Sequence, residues 1–280
     1  VGTIPEEEFP LVVGPVALGD VSLTVQGREV PLTRGTAALL AAAAVCLETL
    51  GQPPPLAFLA GDIGLGQGSR QLYEYLTLNL GPHQLKVLTF HYILPMVDWH
   101  NRVLWAIQEM AAPPLLIADA GYMYVAKMSG EAPAYDLFTP DAGEIAFLAD
   151  EAAPHPFYTR GFILHQDNQV PDLIARAYAH ENAARHLLVK GKRDYVATRE
   201  GVAASIDEPQ IEALEPMGGT GDTLTGIAAA LIAGGWDIVP AAVLAARVNR
   251  VAGALAKPTP ATGVQDLVQQ IPAALAQLLS

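Results

Sequence analysis

The chain has 280 residues, 51% of them hydrophobic, and carries 16 Lys plus Arg against 29 Asp plus Glu for a net charge of −13. That balance argues against nucleic-acid binding through a basic face, and the single cysteine excludes an internal disulfide or a cysteine-rich zinc site. The length allows one large α/β domain or two small ones; with no linker, repeat or low-complexity tract, a single domain over residues 1–280 is expected.

Short apolar runs alternate with helical patterns, as in a parallel sheet covered on both faces. Residues 11–13 read as a strand, followed by Asp20 and an alternating stretch to Val30. Gly35-Thr36 opens an alanine-rich helix over 36–50, which contains Cys46 and Glu48. This is the longest apolar run, and it falls short of the ~18–20 residues of a membrane span. Cys46 reads as a small buried hydrophobe. A strand at 57–60 leads through Gly61-Asp62-Ile63-Gly64-Leu65-Gly66 into a polar helix at 69–80. A strand at 86–90 and a helix at 97–110 follow. His91 and His100, with Asp98 between them, have no recognised ligand spacing and read as loop and helix-start residues. A substrate contact stays open for His91, which follows a strand. Strands at 115–118 and 137–139, a helix at 142–149 and a polar surface excursion at 151–169, broken by Pro154 and Pro156, come next. The rest reads as a helix at 170–181, strands at 186–189 and 195–198, and helices at 223–233, 240–257 and 264–279. Asn249 and Arg250 fall on the penultimate helix, on a face read as exposed, with a nucleotide contact as the other reading.

Ligands of such sheets bind beyond the carboxyl ends of the strands. Asp119, Asp141, Lys190 and the 219–222 loop each fall just past a strand or at a helix start, which points to one shared site. In Gly218-Gly219-Thr220-Gly221-Asp222 a glycine turn feeds a buried helix. Its amides and the helix dipole suit a phosphate, and Asp222 could take a proton from an attacking hydroxyl. The alternative is a glycine-rich cap with an ordinary N-terminal acid; the Walker pattern is absent. Lys190-Gly191-Lys192-Arg193 is one of the few dense basic clusters and could neutralise nucleotide phosphates.

The run Gly218-Gly219-Thr220-Gly221-Asp222-Thr223-Leu224-Thr225-Gly226 resembles the Gly-Gly-Thr-Gly-Asp-x-Leu-x-Gly signature of the ADP/ATP-dependent NAD(P)H-hydrate dehydratases, part of the ribokinase-like superfamily. Three further segments agree in order. Thr139-Pro140-Asp141-Ala142-Gly143-Glu144 resembles the family's Thr-Pro-His-x-Gly-Glu, Leu188-Val189-Lys190-Gly191 its Leu-Lys-Gly, and Asp119-Ala120 the start of its Asp-Ala-Asp. The tail from Thr262-Gly263 through Ile271-Pro272 fits the family's last helix, so the similarity runs from about residue 115 to 280. The first hundred residues are more similar in order to the sugar-kinase branch of the superfamily, where the first strand and its hairpin bind substrate and help lid the site. Gly64-Leu65-Gly66 is also similar to a Gly-Leu-Gly turn of the dehydratases.

The resemblance implies a three-layer α/β/α fold with a mostly parallel central sheet, Mg²⁺, and ADP or ATP as phosphoryl donor. Asp222 is the implied catalytic base, and Gly218, Gly219, Thr220, Gly221 and Lys190 are the implied nucleotide phosphate contacts. Glu144 and Asp141 are the implied holders of the Mg²⁺ water shell; Glu144 matches both branches and Asp141 neither. Asp119 and, on the sugar-kinase comparison alone, Asp20 are substrate candidates. The implied activity is repair of hydrated NAD(P)H by phosphorylation of its hydroxyl and elimination of phosphate. The alternatives are an ATP-dependent kinase of a sugar, nucleoside or vitamin-like alcohol, and a nucleotide-binding regulator without turnover. Partners are then small molecules, with no nucleic acid or membrane; relatives often form oligomers. No basic leader with a cleavable apolar stretch opens the sequence, and a reducing, cytoplasmic location is expected.

Overall fold

The computed structural model describes residues 1–151 and 169–280. The surface excursion expected at 151–169 therefore lies, apart from its two end residues, outside the described residues. In chain order the elements are β1 (Gly2–Ile4), β2 (Val12–Leu18), β3 (Ser22–Val25), β4 (Arg28–Pro31), α1 (Thr36–Thr49), β5 (Leu56–Gly61), α2 (Gln67–Asn79), β6 (Val87–Phe90), α3 (Val97–Gln108), β7 (Leu115–Ala118), α4 (Gly121–Met128), β8 (Leu137–Phe138), α5 (Ala142–Ala149), α6 (Val170–Ala179), β9 (His186–Val189), β10 (Asp194–Thr198), β11 (Gly201–Ile206), α7 (Thr220–Ala233), α8 (Ile238–Leu255) and α9 (Val264–Leu279).

The strands run in the orders β11-β10-β9-β8-β7-β6 and β1-β5-β2-β3-β4. A parallel bridge between Gly2 and His91, with the His91 amide donating to the Val1 carbonyl at 2.9 Å, joins β1 to the carboxyl end of β6. The two sheets thus share a parallel centre, with antiparallel strands at both margins. Side chains alternate across this sheet as strand geometry requires. Ile117, Leu137, Leu188 and Val196 face a core built with α1, α7, α8 and α9. Leu116, Ala118, Phe138, Leu187 and Val189 face a second core built with α2 to α6. The result is the expected three-layer α/β/α arrangement.

Register sets the site. Phe90 pairs with Ala118, Ala118 with Phe138 and Phe138 with Leu187, so the residues that follow each strand emerge side by side. His91, Asp119 and Thr139 are such residues, and Asp141 bridges to Lys190 beyond them. Two of the strand exits turn sharply through non-glycine residues in the left-handed region: Tyr92 at φ 50° after His91 and Ala120 at φ 52° after Asp119. Such a backbone costs roughly 1–2 kcal/mol per residue and clusters at functional sites.

Helix α1 is buried from Thr36 to Leu47 and lies against α7 and α9. Its closest approach to α7 is at Gly226, where a Cβ would stand 2.2 Å from the Leu39 carbonyl oxygen. The structure corrects three sequence expectations. Helix α4 was not anticipated, and β1, β3, β4 and β11 add to the expected strands. Helix α8, rather than α1, comes closest to a membrane span: it has 18 residues of mean hydropathy 1.4. It packs against α7 and α9 on one side only, with 39% of it buried, and carries Arg250, whose Nε donates to Asp194 Oδ2 at 2.8 Å.

Candidate active site

Asp222 lies in the first turn of α7, whose N-cap, Gly219, has φ 101° and supplies no side-chain cap. The first-turn amides, which have no intrahelical acceptor, are therefore left without a protein cap. The other glycine turn, at Gly64-Leu65-Gly66, is closed from within. Asp62 Oδ1 accepts from the amides of Gly64 and Gly66, each at 2.9 Å, and Oδ2 from the Ser69 amide at 2.9 Å and its hydroxyl at 2.7 Å. Of the two turns, the one at 218–221 has donors open to an anion.

The Asp222 carboxylate is held by two segments far away in the chain. The Gly35 amide donates to Oδ2 at 2.6 Å, and His91 Nε2 lies 3.0 Å from Oδ1. A carboxylate only accepts, so Nε2 carries a proton, and Nδ1 meets the Thr36 hydroxyl 3.1 Å away. Thr36–His91–Asp222 is thus a continuous hydrogen-bonded chain from the start of α1 to the start of α7. Behind it, Lys190 Nζ donates to both oxygens of Asp119, at 2.8 and 2.9 Å, and Thr225 Oγ1 stands 2.6 Å from Asp119 Oδ2 and 2.9 Å from Thr139 Oγ1.

Charge follows from this geometry. Burial alone raises the Asp222 carboxyl, but the hydrogen bond and charge of His91, the charge of Lys190 and the Gly35 amide together bring it below the usual carboxylate range. Asp222 is ionised at neutral pH and able to accept a proton. Burial opposes the Lys190 charge, yet the carboxylates of Asp119, Glu144 and Asp222 raise its pKa. Glu144 is pushed up to about 8, first by burial and then by the charge of Asp141. Asp141 and Glu144 form a capping box on α5: Asp141 Oδ1 accepts from the Glu144 amide and Glu144 Oε2 from the Asp141 amide, both at 2.8 Å.

Among the described residues, His91, Asp119 and Asp222 are the one group of three whose ligand atoms could surround a metal ion, all within 4.8 Å of one another. Lys190 already supplies the cation there, with both oxygens of Asp119 engaged.

A cavity of about 550 Å³ opens beside this cluster. Its walls include Thr3, Glu6, Arg34, Asp62, Ser69 and Tyr92, and it reaches Gly35 and Thr36, the residues bonded to Asp222 and His91. Tyr92 is 51% exposed and meets the His91 ring edge-on at 4.3 Å.

Of the residues singled out from sequence, Asp119, Lys190 and Asp222 come together, with Gly218, Gly219, Thr220 and Gly221 beside them and Asp141 and Glu144 adjoining Lys190. Asp20 does not join them: it is exposed in the turn between β2 and β3 and outside the cavity wall. Asn249 and Arg250 are half-buried rather than on an exposed face. Asn249 accepts from the Thr223 hydroxyl at 2.7 Å and donates to the Thr220 carbonyl at 3.0 Å, bracing α7. Arg250 Nη2 donates to the carbonyls of Gly191 and Lys192, fixing the loop after Lys190. His91 is not a plain loop residue but a member of the cluster, whereas His100 is a core residue, its Nε2 2.8 Å from the Tyr135 hydroxyl. Cys46 is buried, and burial pushes its thiol up to about 12. Thr36, Gly35, Thr139 and Thr225 were missed. Thr225 lay inside the glycine–aspartate motif, and Thr139 followed a strand as Asp119 did.

The fold and this site define a ribokinase-like α/β protein. Solved structures of that fold align at low identity. A ribokinase-like superfamily protein of Enterococcus faecalis aligns at TM-score 0.55 and 16% identity, covering 86% of this chain and 82% of that one. The ADP/ATP-dependent NAD(P)H-hydrate dehydratase of Bacillus subtilis, co-crystallised with ATP/Mg²⁺, aligns at TM-score 0.55 and 15% identity, over 86% of this chain and 84% of that one. The family model described as NAD(P)H-hydrate dehydratase matches residues 94–273, and the chain belongs to that family. An uncharacterised protein of Methanocaldococcus jannaschii, MJ1337, is 39% identical over 83% of this chain and 96% of its own length. The bifunctional NAD(P)H-hydrate repair enzyme Nnr of Hyperthermus butylicus is 42% identical over 110 residues, 37% of this chain and 20% of that enzyme.

Proposed function

We propose that the protein is a nucleotide-dependent dehydratase that repairs hydrated NAD(P)H. The observation that carries this reading is the Asp222 carboxylate, kept ionised by His91 and Gly35 at the mouth of an uncapped glycine turn, inside the segment matched by the NAD(P)H-hydrate dehydratase family. The acceptor occupies the cavity with its hydroxyl directed to Asp222. As that oxygen forms a bond to the terminal phosphorus of ADP or ATP, its proton passes to Asp222. The bond from phosphorus to the departing nucleotide breaks, and the amides of Gly219, Thr220 and Gly221 hold the charge on the phosphoryl oxygens. The carbon–oxygen bond to the new phosphate then breaks, a proton leaves the adjacent carbon, the ring double bond returns and inorganic phosphate departs. Lys190 offsets the phosphate charge from beside Gly221, where a Cβ would stand 3.6 Å from its Nζ.

Asp141 and Glu144 fit Mg²⁺: both offer carboxylate oxygens, and burial, then the charge of Asp141, suppress the Glu144 charge that a cation would stabilise. When bound, Mg²⁺ supplies charge neutralisation at the phosphates.

A kinase of a small alcohol is the second reading, favoured by one observation. Apart from Leu94, the cavity wall comes from residues before the family match, so acceptor choice is made largely where the match does not reach.

The test is incubation with Mg²⁺, hydrated NADH and either ADP or ATP, following recovery of the reduced-nicotinamide absorbance together with phosphate release. Asp222→Asn is expected to lower turnover by about 10²–10⁴-fold while leaving nucleotide binding intact. Full turnover in that variant sinks the mechanism. Nucleotide binding without recovery in the wild type moves the assignment to the kinase, whose product is a stable phosphate ester.

A further inference from the structure

We propose that Arg34 is a catalytic residue of the phosphoryl transfer, closing over the group in transit from the cavity side while the glycine turn holds it from the other. The proposal rests on the phosphoryl-transfer reading of the 218–222 turn, but not on which hydroxyl is the acceptor.

Four observations converge on this side chain. Arg34 is the basic residue among the described residues that line the cavity. It packs on the glycine turn itself: its Cδ lies 3.5 Å from where a Gly218 Cβ would stand, and its Cα 3.3 Å from where a Gly219 Cβ would stand. Its root is immobilised, because the next two residues are tied to the site, Gly35 N to Asp222 at 2.6 Å and Thr36 Oγ1 to His91 at 3.1 Å. Its guanidinium, in contrast, has no hydrogen-bond or ion-pair partner among the described residues, in a chain of net charge −13. The buried cation of the site, Lys190, is paired with Asp119.

An arginine rooted at the seam between acceptor cavity and anion-binding turn, with its fork free, is placed to take charge that appears only during transfer. Guanidinium donors match phosphoryl oxygens two at a time, and an arginine supplied to a phosphoryl transition state contributes about 10³–10⁵-fold in enzymes that use one. Because Asp222, one hydrogen bond from Gly35, receives the hydroxyl proton, Arg34 has no proton to move; its part is electrostatic.

The experiment compares wild type, Arg34→Ala and Arg34→Lys, with Arg28→Ala on β4 as a control that removes the same charge outside the cavity wall. Calorimetry measures binding of MgADP alone and of MgADP with aluminium fluoride, a mimic of the transferring phosphoryl group. Arg34→Ala is expected to bind MgADP as the wild type does and to lose at least tenfold in the aluminium fluoride complex. Its kcat should fall about 10²-fold or more at little-changed KM, with partial rescue by added guanidinium. Arg34→Lys should lie between, keeping the charge without the fork. Arg34 is exposed, so an unchanged melting temperature checks that the variants fold. An undiminished aluminium fluoride complex in Arg34→Ala, or a loss confined to acceptor KM at unchanged kcat, overturns the proposal. If the wild type turns over a small alcohol instead of the hydrate, the repair reading fails while the same binding comparison still decides the role of Arg34.

Discussion

Gly226→Ala reaches the site through packing alone. Gly226 is the last glycine of the 218–226 motif, yet it touches no candidate ligand-binding group; a Cβ there would stand 2.2 Å from the Leu39 carbonyl oxygen, 3.1 Å from its carbon and 3.2 Å from the Ala42 Cβ. The obstacle is backbone on a helix buried on all sides, so it cannot rotate away, and α1 and α7 must separate by about 1 Å. Overpacking of that kind costs about 1–3 kcal/mol, and the better helix propensity of alanine returns about 1 kcal/mol, leaving a net loss centred on about 1 kcal/mol. The same separation pulls Gly35 and Thr36 at the start of α1 away from Asp222 and His91 at contacts of 2.6 and 3.1 Å. A 1 Å error in placing a catalytic group costs about 10²-fold in rate. Urea unfolding should give a lower midpoint at unchanged slope, and turnover should fall by about that factor at little-changed nucleotide affinity. A variant as stable as the wild type, or one that loses stability and keeps full turnover, refutes the coupling of helix packing to the site.

Lys190→Met leaves Asp119 buried without its cation and should cost about 3–5 kcal/mol in urea unfolding, most of which Asp119→Asn in the same chain should restore. His91→Leu removes the donor that offsets burial at Asp222, so the acid limb of the kcat/KM profile should move to higher pH, and His91→Gln, which keeps an N–H, should move it less. Glu144 binds its proton more tightly in the folded state, with a pKa raised from the ordinary 4.5 to about 8. Its contribution to stability is therefore complete below the lower value and is lost as pH rises through the upper one. In EDTA the melting temperature should fall across that interval, and less so in Glu144→Gln. Because that proton must leave before a cation binds, Mg²⁺ affinity measured by calorimetry should rise about tenfold per pH unit until about pH 8, and Glu144→Gln should flatten the rise.

The parts of the site that could be read from sequence are those that obey a local rule. Asp119 and Lys190 each follow an apolar strand, and Asp222 follows a glycine turn at a helix start; strand periodicity and helix-start chemistry are both written in neighbouring residues. His91 obeys the same rule as Asp119 but has no companion at ligand spacing, because its partners are 55 residues before it and 131 after it. The two short strands β3 and β4 carried a signal that went unused: Gln26 and Gly27, at φ 49° and 75°, make the left-handed pair of a two-residue hairpin turn. Helix α4 is short, and its outward positions Gly121, Tyr124 and Met128 carry no charge to set off the buried stripe of Tyr122, Met123, Val125 and Ala126, which joins the same core as Phe90. The apolar character of the 18-residue α8 was underestimated because Arg247, Asn249 and Arg250 interrupt the run; the ion pair of Arg250 with Asp194 offsets the half-buried charge.

The family match begins at residue 94, yet both groups that hold the Asp222 carboxylate, Gly35 and His91, lie before it. A phosphoryl-transfer motif is self-contained in one respect only: its amides and dipole bind an anion wherever the turn is copied. Making its aspartate a base for one particular hydroxyl needs a wall that presents that hydroxyl, and here the wall and the carboxylate share the same short segment, Thr33 to Thr36. Any change of acceptor that reshapes this segment also moves the Gly35 amide, and with it the charge and direction of Asp222. On the proposed function, acceptor selectivity and catalytic rate are therefore mechanically linked in this chain. An acceptor pocket assembled from its first ninety-odd residues is free to diverge from that of relatives only within the limits set by two hydrogen bonds.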